Sequence, residues 1–353
     1  AIGPLRQSAN AFQQRGDYRE ADRIATGMVR AVRSGDASER ELANVYMFRA
    51  KTYVGTGLPD ETLRWAKKAL ELSEANDWPD VTTKATGYAA LSKQWLGSPD
   101  ANEWLDRALE MLETVDLSFQ SDGVVMVLGY VLTSLGRFDD ARRVLALDCQ
   151  LAEVAQNEGA IASNAYQRCR TAIYSRDFET ALACGADAKK RFEALGRVPA
   201  LAATVGMLAE VHRLVEDFEL AGAMYRECIE LNESLGQHAF VYKAGLAQVL
   251  LAANDLEQAE ELFLEAATEA AVAGRRRTEV GCKAGLLVCA ARQGHWTSAA
   301  RLIPAIVEFF SGTTETEIDL AELLEMAGDE FDAGGRYDEA GTIWRLAEAQ
   351  WRT

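Results

Sequence analysis

The 353-residue sequence predicts an all-α chain: about nine antiparallel helix pairs stacked in a row, eighteen helices with no strand. Three observations predict it. A turn motif returns every 38 to 41 residues, and two columns of small residues keep register with it. The alternation of β-branched residues that half-buried strands need is nearly absent.

The motif is a turn residue, a polar residue, an aromatic or apolar residue and, three places on, an alanine. It reads G-D-Y-R-E-A from Gly16, G-R-F-D-D-A from Gly136, R-D-F-E-T-A from Arg176 and E-D-F-E-L-A from Glu216. N-D-L-E-Q-A follows from Asn254, G-H-W-T-S-A from Gly294 and G-R-Y-D-E-A from Gly335. Weaker copies start at Gly57 (G-L-P-D-E-T) and Gly97 (G-S-P-D-A-N); sliding the latter by one residue brings Ala101 to the alanine position. Seven residues before these anchors stand Ala9, Ala50, Ala90, Gly129, Cys169, Ala209, Ala247, Leu287 and Gly328, all small but one. A small column on each side of a turn lets two helices approach toward the short end of the ~8–10 Å interaxial range.

Each repeat therefore divides into a helix A that ends at the anchor and a helix B that starts about two residues after it. Segment 218–235 shows 3–4 spacing of apolar residues on one face. Pro59, Asp60, Glu61, Pro99 and Asp100 gather at B-helix starts, where the dipole favours acids and the missing proline N–H is not needed. Gly196, Gly236 and Gly274 fall just after B helices, where a left-handed cap is wanted. Pro304 lies inside a predicted helix and is expected to kink or shorten it. No linker is visible, so residues 1–353 read as one repeat domain in which each unit packs on its neighbours. Ala1 in place of Met suggests a piece of a larger polypeptide.

Helix–turn–helix units with a small residue, then G-D-Y/F, then alanine resemble tetratricopeptide repeats over essentially the whole chain. The period of about 40 is similar to the longer repeats of kinesin light chains. It also resembles the helical-repeat segments of large bacterial NTPase-linked transcription regulators of the maltose-activator, LuxR-like type. The W-x-x-A-E-A stretch at Trp344 to Ala349 is similar to the end of such segments. The resemblance implies a right-handed α-solenoid whose concave face is lined by A helices and binds peptides or proteins.

Composition narrows the function. With 37 basic and 54 acidic residues the net charge is −17, which disfavours direct nucleic-acid binding. No run of some 18 apolar residues marks a membrane span and no signal peptide opens the chain, so the expected compartment is cytoplasmic. Arg275, Arg276 and Arg277 read as a solvated helix start, with an anion contact as the alternative. The six cysteines form no C-x-x-C pair and read as small buried residues of a reducing compartment. Walker, G-x-G-x-x-G, H-E-x-x-H and G-x-S-x-G motifs are absent. His212, His238 and His295 fall in three different repeats; His212 reads as packing and His295 as a turn residue. Asp139 with Asp140 and Glu260 with Glu261 read as helix-start or surface charge. Glu322, Glu325 and Asp329 form a stripe read as a solvated face, or alternatively as a metal or basic-partner site. The expectation is a non-enzymatic binding scaffold without cofactor or metal. The alternative is an inducer-sensing or regulatory arm of a larger bacterial signalling protein.

A groove lined by A helices would use residues 13, 10, 6 and 3 places before each anchor. The candidates are Asn44, Lys51, Tyr88 and Gln94 in the early repeats and Tyr130, Tyr166, Arg170, Ile173, Glu210, Arg213 and Gln248 in the middle ones. Arg and Tyr offer large contact area and directed donors at low entropic cost. Arg170 and Arg213 would either clamp a carboxylate together or be neutralised by Glu210. Ala244, Gly245, Ala284 and Gly285 leave helix faces bare, for a partner's close approach or for tight packing between repeats. Ile343, Trp344, Leu346 and Trp351 make the last helix apolar, so a neighbouring domain or second copy is expected against it.

Overall fold

The computed structural model describes residues 2–14, 18–32, 38–56, 58–114, 124–311 and 318–351. Its contacts group into two compact units, Ala1–Asp177 and Phe178–Thr353. The first holds α1 (Ile2–Gln14), α2 (Tyr18–Ala31), α3 (Glu39–Thr56), α4 (Pro59–Ala75), α5 (Pro79–Trp95), α6 (Ala101–Thr114), α7 (Val124–Ser134), α8 (Phe138–Val154) and α9 (Glu158–Tyr174). The second holds α10 (Phe178–Ala194), α11 (Val198–Leu214), α12 (Phe218–Ser234), α13 (Phe240–Ala252), α14 (Leu256–Val272), α15 (Arg276–Arg292), α16 (Trp296–Ser311), α17 (Ile318–Ala333) and α18 (Tyr337–Trp351). Odd-numbered helices are the A helices and even-numbered ones the B helices. No strand occurs among the described residues. Within each unit most successive helices pack as antiparallel neighbours, and A helices also meet the next A helix: α5 with α7, α7 with α9, α13 with α15, α15 with α17.

At the described turns, what stops a helix is one residue held in the left-handed region. Every described anchor has φ between +58° and +75°, whether it is glycine (Gly136, Gly335) or not (Arg176, Glu216, Asn254). Gly16 and Gly57 lie outside the described residues. The reversal is closed by two backbone bonds. At the Glu216 turn, Glu216 N donates to Arg213 O at 3.0 Å and Asp217 N to His212 O at 2.8 Å. These are the two bonds of a Schellman closure, which pairs carbonyls the helix leaves orphaned. The same pair recurs at Gly136, Arg176, Asn254, Gly294 and Gly335. The residue after the left-handed one then opens the next helix: Asp217 and Asp255 accept from the N–H groups of Leu220 and Gln258. The return from B to A uses the same device at Asp77, Gln156, Gly196, Gly236 and Gly274. Helices of 17 residues and connections of three residues then give the 40-residue period, as from α9 through α12.

The small columns are the contact surface of each pair. Ala21, Ala141, Ala181, Ala221, Ala259, Ala299 and Ala340 are wholly buried, and Thr62 fills the same place in the second repeat. Ala101 is 6% exposed, in keeping with a slide of that copy by one residue. Before the turn, Ala9, Ala50, Cys169, Ala209 and Ala247 are wholly buried. At Gly129 a Cβ would stand 2.6 Å from Leu145 Cδ2, and at Gly328 one would stand 2.3 Å from Trp344 Cδ1. Helix B thus sits where a larger residue on helix A cannot be housed.

Some expectations change. Gly245 and Gly285 seat rings of the preceding B helix, Tyr225 and Phe263, with a Cβ 2.4 Å from each; they serve packing between repeats rather than a partner's approach. Ala284 is wholly buried and Ala244 half-buried. The helix α16 runs for 16 residues with Pro304 inside it, so the proline does not end the helix. The aromatic after the turn packs inward at Trp296, edge-on to Phe331 at 5.5 Å, but Tyr337 is 70% exposed. At the last helix, Ile343 is buried, and Trp344 covers Gly328 and donates from Nε1 to Asp329 at 3.2 Å, so much of its apolar surface is used within its own pair. The Trp351 side chain lies outside the described residues. Five cysteines are buried, Cys149 is half-buried, and all six are free thiols. Burial pushes the Cys228, Cys282 and Cys289 thiols up to about 12, so they stay protonated.

Two outcomes are expected. Replacing Glu216 by glycine relieves a Cβ held at φ +63° and raises unfolding stability by about 0.5–1 kcal/mol, while Gly136→Ala lowers it by about 1 kcal/mol; denaturant melts check both. Asp100 follows α5 and is bound by Lys93 Nζ at 2.6 Å, Ser98 Oγ at 2.6 Å and Trp104 Nε1 at 3.1 Å. These partners, Lys93 first, hold its carboxyl down to about 2. An unfolded aspartate titrates near 3.9. Its stabilising contribution is therefore present above that value and lost as pH falls through about 2. The stability difference between the wild type and Asp100→Asn accordingly shrinks on acidification below about pH 4, as read by circular dichroism.

Candidate functional site

Pairing fixes one face of every A helix and leaves another face under no packing demand. Residues 13, 10, 6 and 3 places before the anchor share that second face, since these steps return to nearly the same side of a helix. In the first unit it carries an arginine among tyrosines. Tyr130 on α7 and Arg170 on α9 occupy the same repeat position, six before the anchor, on neighbouring A helices. The Arg170 guanidinium lies 4.0 Å from the centroid of the Tyr130 ring and 5.3 Å from that of Tyr174. Tyr166, one turn before Arg170, completes the group. Burial lifts its phenol above the ordinary tyrosine value, with the Arg170 charge pulling the other way, so it remains a neutral donor.

Arg170 is half-buried yet holds rings rather than an acid. Several other arginines packed into the two units hold carboxylates: Arg49 with Asp22 at 2.7 Å, Arg137 with Asp106 at 2.6 Å, and Arg292 with Glu330 at 2.8 Å. Among the described residues Arg170 has no carboxylate partner. Tyr174, two residues before its anchor, was not among the sequence candidates; its ring reaches the cluster from the last turn of α9, and only the spacing of four from Arg170 hinted at it.

The second unit treats its arginine differently. Arg213 on α11 is gripped by Glu210 through Nε at 2.9 Å and Nη2 at 2.6 Å, and Glu210 also accepts from Tyr225 Oη at 2.6 Å. Of the two readings left open, neutralisation by Glu210 is the one found. Arg213 Nη1 further lies 3.6 Å from Glu322 Oε2 on α17, so residues three repeats apart meet on this face. His212 points the other way, its Nδ1 3.4 Å from Asp217 Oδ2. The acidic stripe is divided: Glu322 faces Arg213 and Asp329 accepts from Trp344. Among the described residues no group of three His, Cys, Asp or Glu could hold a metal ion. No described helix is long and apolar enough to cross a membrane.

The remaining candidates scatter. Tyr88 is 1% exposed and belongs to the core, which corrects its place in the groove. It stands nine residues before its anchor, like Gly245 and Gly285, in the column that faces the preceding B helix, and α5 is enclosed by α3, α4, α6 and α7. Asn44, Gln94 and Gln248 are half-buried, Lys51 is exposed, and Ile173 is half-buried beside the cluster on α9. Arg276 pairs with Glu308 at 3.2 Å on the surface, and His295 is an exposed turn residue.

Removing Glu210 takes away the carboxylate that grips the Arg213 guanidinium and accepts from the Tyr225 hydroxyl. Glu210→Ala is expected to cost about 2 kcal/mol by urea unfolding. The Arg213–Glu322 pair, longer and better solvated, is expected to show a coupling of about 0.5 kcal/mol in a double-mutant cycle.

The family model for the tetratricopeptide repeat matches residues 202–235. No curated protein matches the sequence. A signal transduction ATPase with numerous domains from Pyrococcus horikoshii, which carries a tetratricopeptide repeat sensor, aligns at 14% identity with a TM-score of 0.64, over 96% of this chain and 53% of that one. The present chain thus spans about half its length. A Rap protein complexed with competence and sporulation factor aligns at 11% identity and a TM-score of 0.69, over 99% of each chain. The quorum sensor NprR from B. thuringiensis, in its apo form, aligns at 12% identity and 0.64, over 99% of each, and NprR with its cognate peptide NprX aligns at 12% and 0.60, over 100% and 98%. Such identities speak to the fold alone: the described residues have a tetratricopeptide-like helical-repeat fold, and residues 202–235 match the repeat's own family model.

Proposed function

We propose that the chain is a binding domain that takes up a peptide or protein segment along the concave, A-helix-lined face of its repeats, with no chemistry of its own. One observation carries this reading. The A-helix face that pairing leaves free bears large polar side chains, Tyr130, Tyr166 and Arg170 in one unit and Glu210 and Arg213 in the other. Aromatic and arginine side chains set on rigid helices lose little entropy on contact. The complexes of a Rap protein with competence and sporulation factor and of NprR with its cognate peptide support the choice of ligand class.

A second reading has its own support. The chain matches about half of a signal transduction ATPase with a repeat sensor, so it would equally serve as the sensing arm of a larger bacterial regulator. Both readings require a ligand, and the second adds a covalent neighbour that responds to it.

Selection from a random peptide display library tests the shared requirement. The expected result is a recurring consensus competed by the free peptide. Enrichment no greater than on an equally folded helical-repeat control overturns the reading.

A further inference from the structure

We infer that Arg170, with Tyr130, Tyr166 and Tyr174, forms a receptor for a carboxylate on the bound segment: an acidic side chain or a free C-terminus. The inference rests on the peptide-binding reading above and names the group that this site takes.

The chain carries 54 acidic residues against 37 basic ones, so a carboxylate is easily supplied to an arginine. Arg49, Arg137, Arg213 and Arg292 each have one, and so does Arg336, through Glu339. Arg170 is half-buried, and its neighbours are three phenol rings. A guanidinium stacked over a ring is stabilised through its flat face, by roughly 0.5–2 kcal/mol. Its N–H donors lie in the guanidinium plane, and face-on stacking does not use them. A planar fork with its face supported and its donors unspent matches a carboxylate in a bidentate pair. The tyrosines add to the match: a neutral phenol donates to an anion while its ring shields the ion pair from water.

The second unit shows what this chain does when the anion is internal. There Arg213 takes two donors to Glu210, whose oxygen also accepts from Tyr225. That set consists of a guanidinium, a carboxylate and a phenol. The Arg170 group has the guanidinium and the phenols, and among the described residues it lacks the carboxylate. Lysine in place of Arg170 would keep the charge but lose the fork and the stack.

The test uses the full chain with isotope-labelled arginine, the Arg170 Nε–H resonance being assigned through Arg170→Lys. Two probes of one shape are titrated, N-acetylglutamate amide and N-acetylglutamine amide, the first bearing a carboxylate and the second its neutral counterpart. The expected result is a saturable shift of the Arg170 resonance with the carboxylate probe, about tenfold tighter than with the amide, and weakened in Tyr130→Phe and Tyr166→Phe. An equal response to both probes, or to neither, overturns the inference. The peptide selection separates the two levels. A consensus without Asp or Glu that binds equally well as free acid and C-terminal amide overturns the carboxylate site and leaves the binding reading standing. No consensus at all overturns the reading itself.

Discussion

One residue at each described turn, held at a positive φ that L-amino acids avoid, decides where one helix stops and where the next begins. The left-handed residue swings the backbone out of the helix, and two N–H groups fold back onto carbonyls that would otherwise be orphaned. The following residue is at once the end of one helix and the cap of the next, so the connection has no slack. Antiparallel packing follows because a three-residue link allows little else. The small columns are the second half of the same constraint: with the turn fixed, the two helices come close, and alanine, glycine, cysteine or threonine fills nearly every place between them.

This arrangement divides the sides of an A helix by task. One side meets its own B helix, and another meets the B helix before it, where Gly245 and Gly285 receive whole aromatic rings. The face that remains is free of these demands and collects the residues that the fold does not explain. The two units use that freedom in opposite ways. Around Arg213 the charges are closed into an internal network that reaches from α11 to α17. Around Arg170 the charge is held against tyrosine rings and left available.

The repeat was legible because its determinants are local. A left-handed position selects glycine or a polar residue, a cap selects aspartate or asparagine, and a close contact selects alanine, all at fixed spacing. Tyr130, Tyr166 and Arg170 were legible for the same reason, as residues of one face. What could not be read depended on neighbours far along the chain. Tyr88 shows the periodicity of an exposed face, yet α5 is enclosed by four helices. Gly245 and Gly285 look like open surface until the rings of Tyr225 and Phe263 are placed. The meeting of Arg213 with Glu322 spans three repeats, and no spacing rule links them.

The three-residue connections also set what changes of length the chain tolerates. A residue inserted within a helix turns everything beyond it by about 100°, which moves the small column off its partner and the Tyr130–Arg170 face out of alignment. A whole 40-residue block begins and ends on the same left-handed junction, so its gain or loss rejoins the chain with every contact between neighbours remade. Such a chain can lengthen or shorten by complete repeats while its local chemistry stays the same, and a reading frame for the fold is thereby written into its backbone.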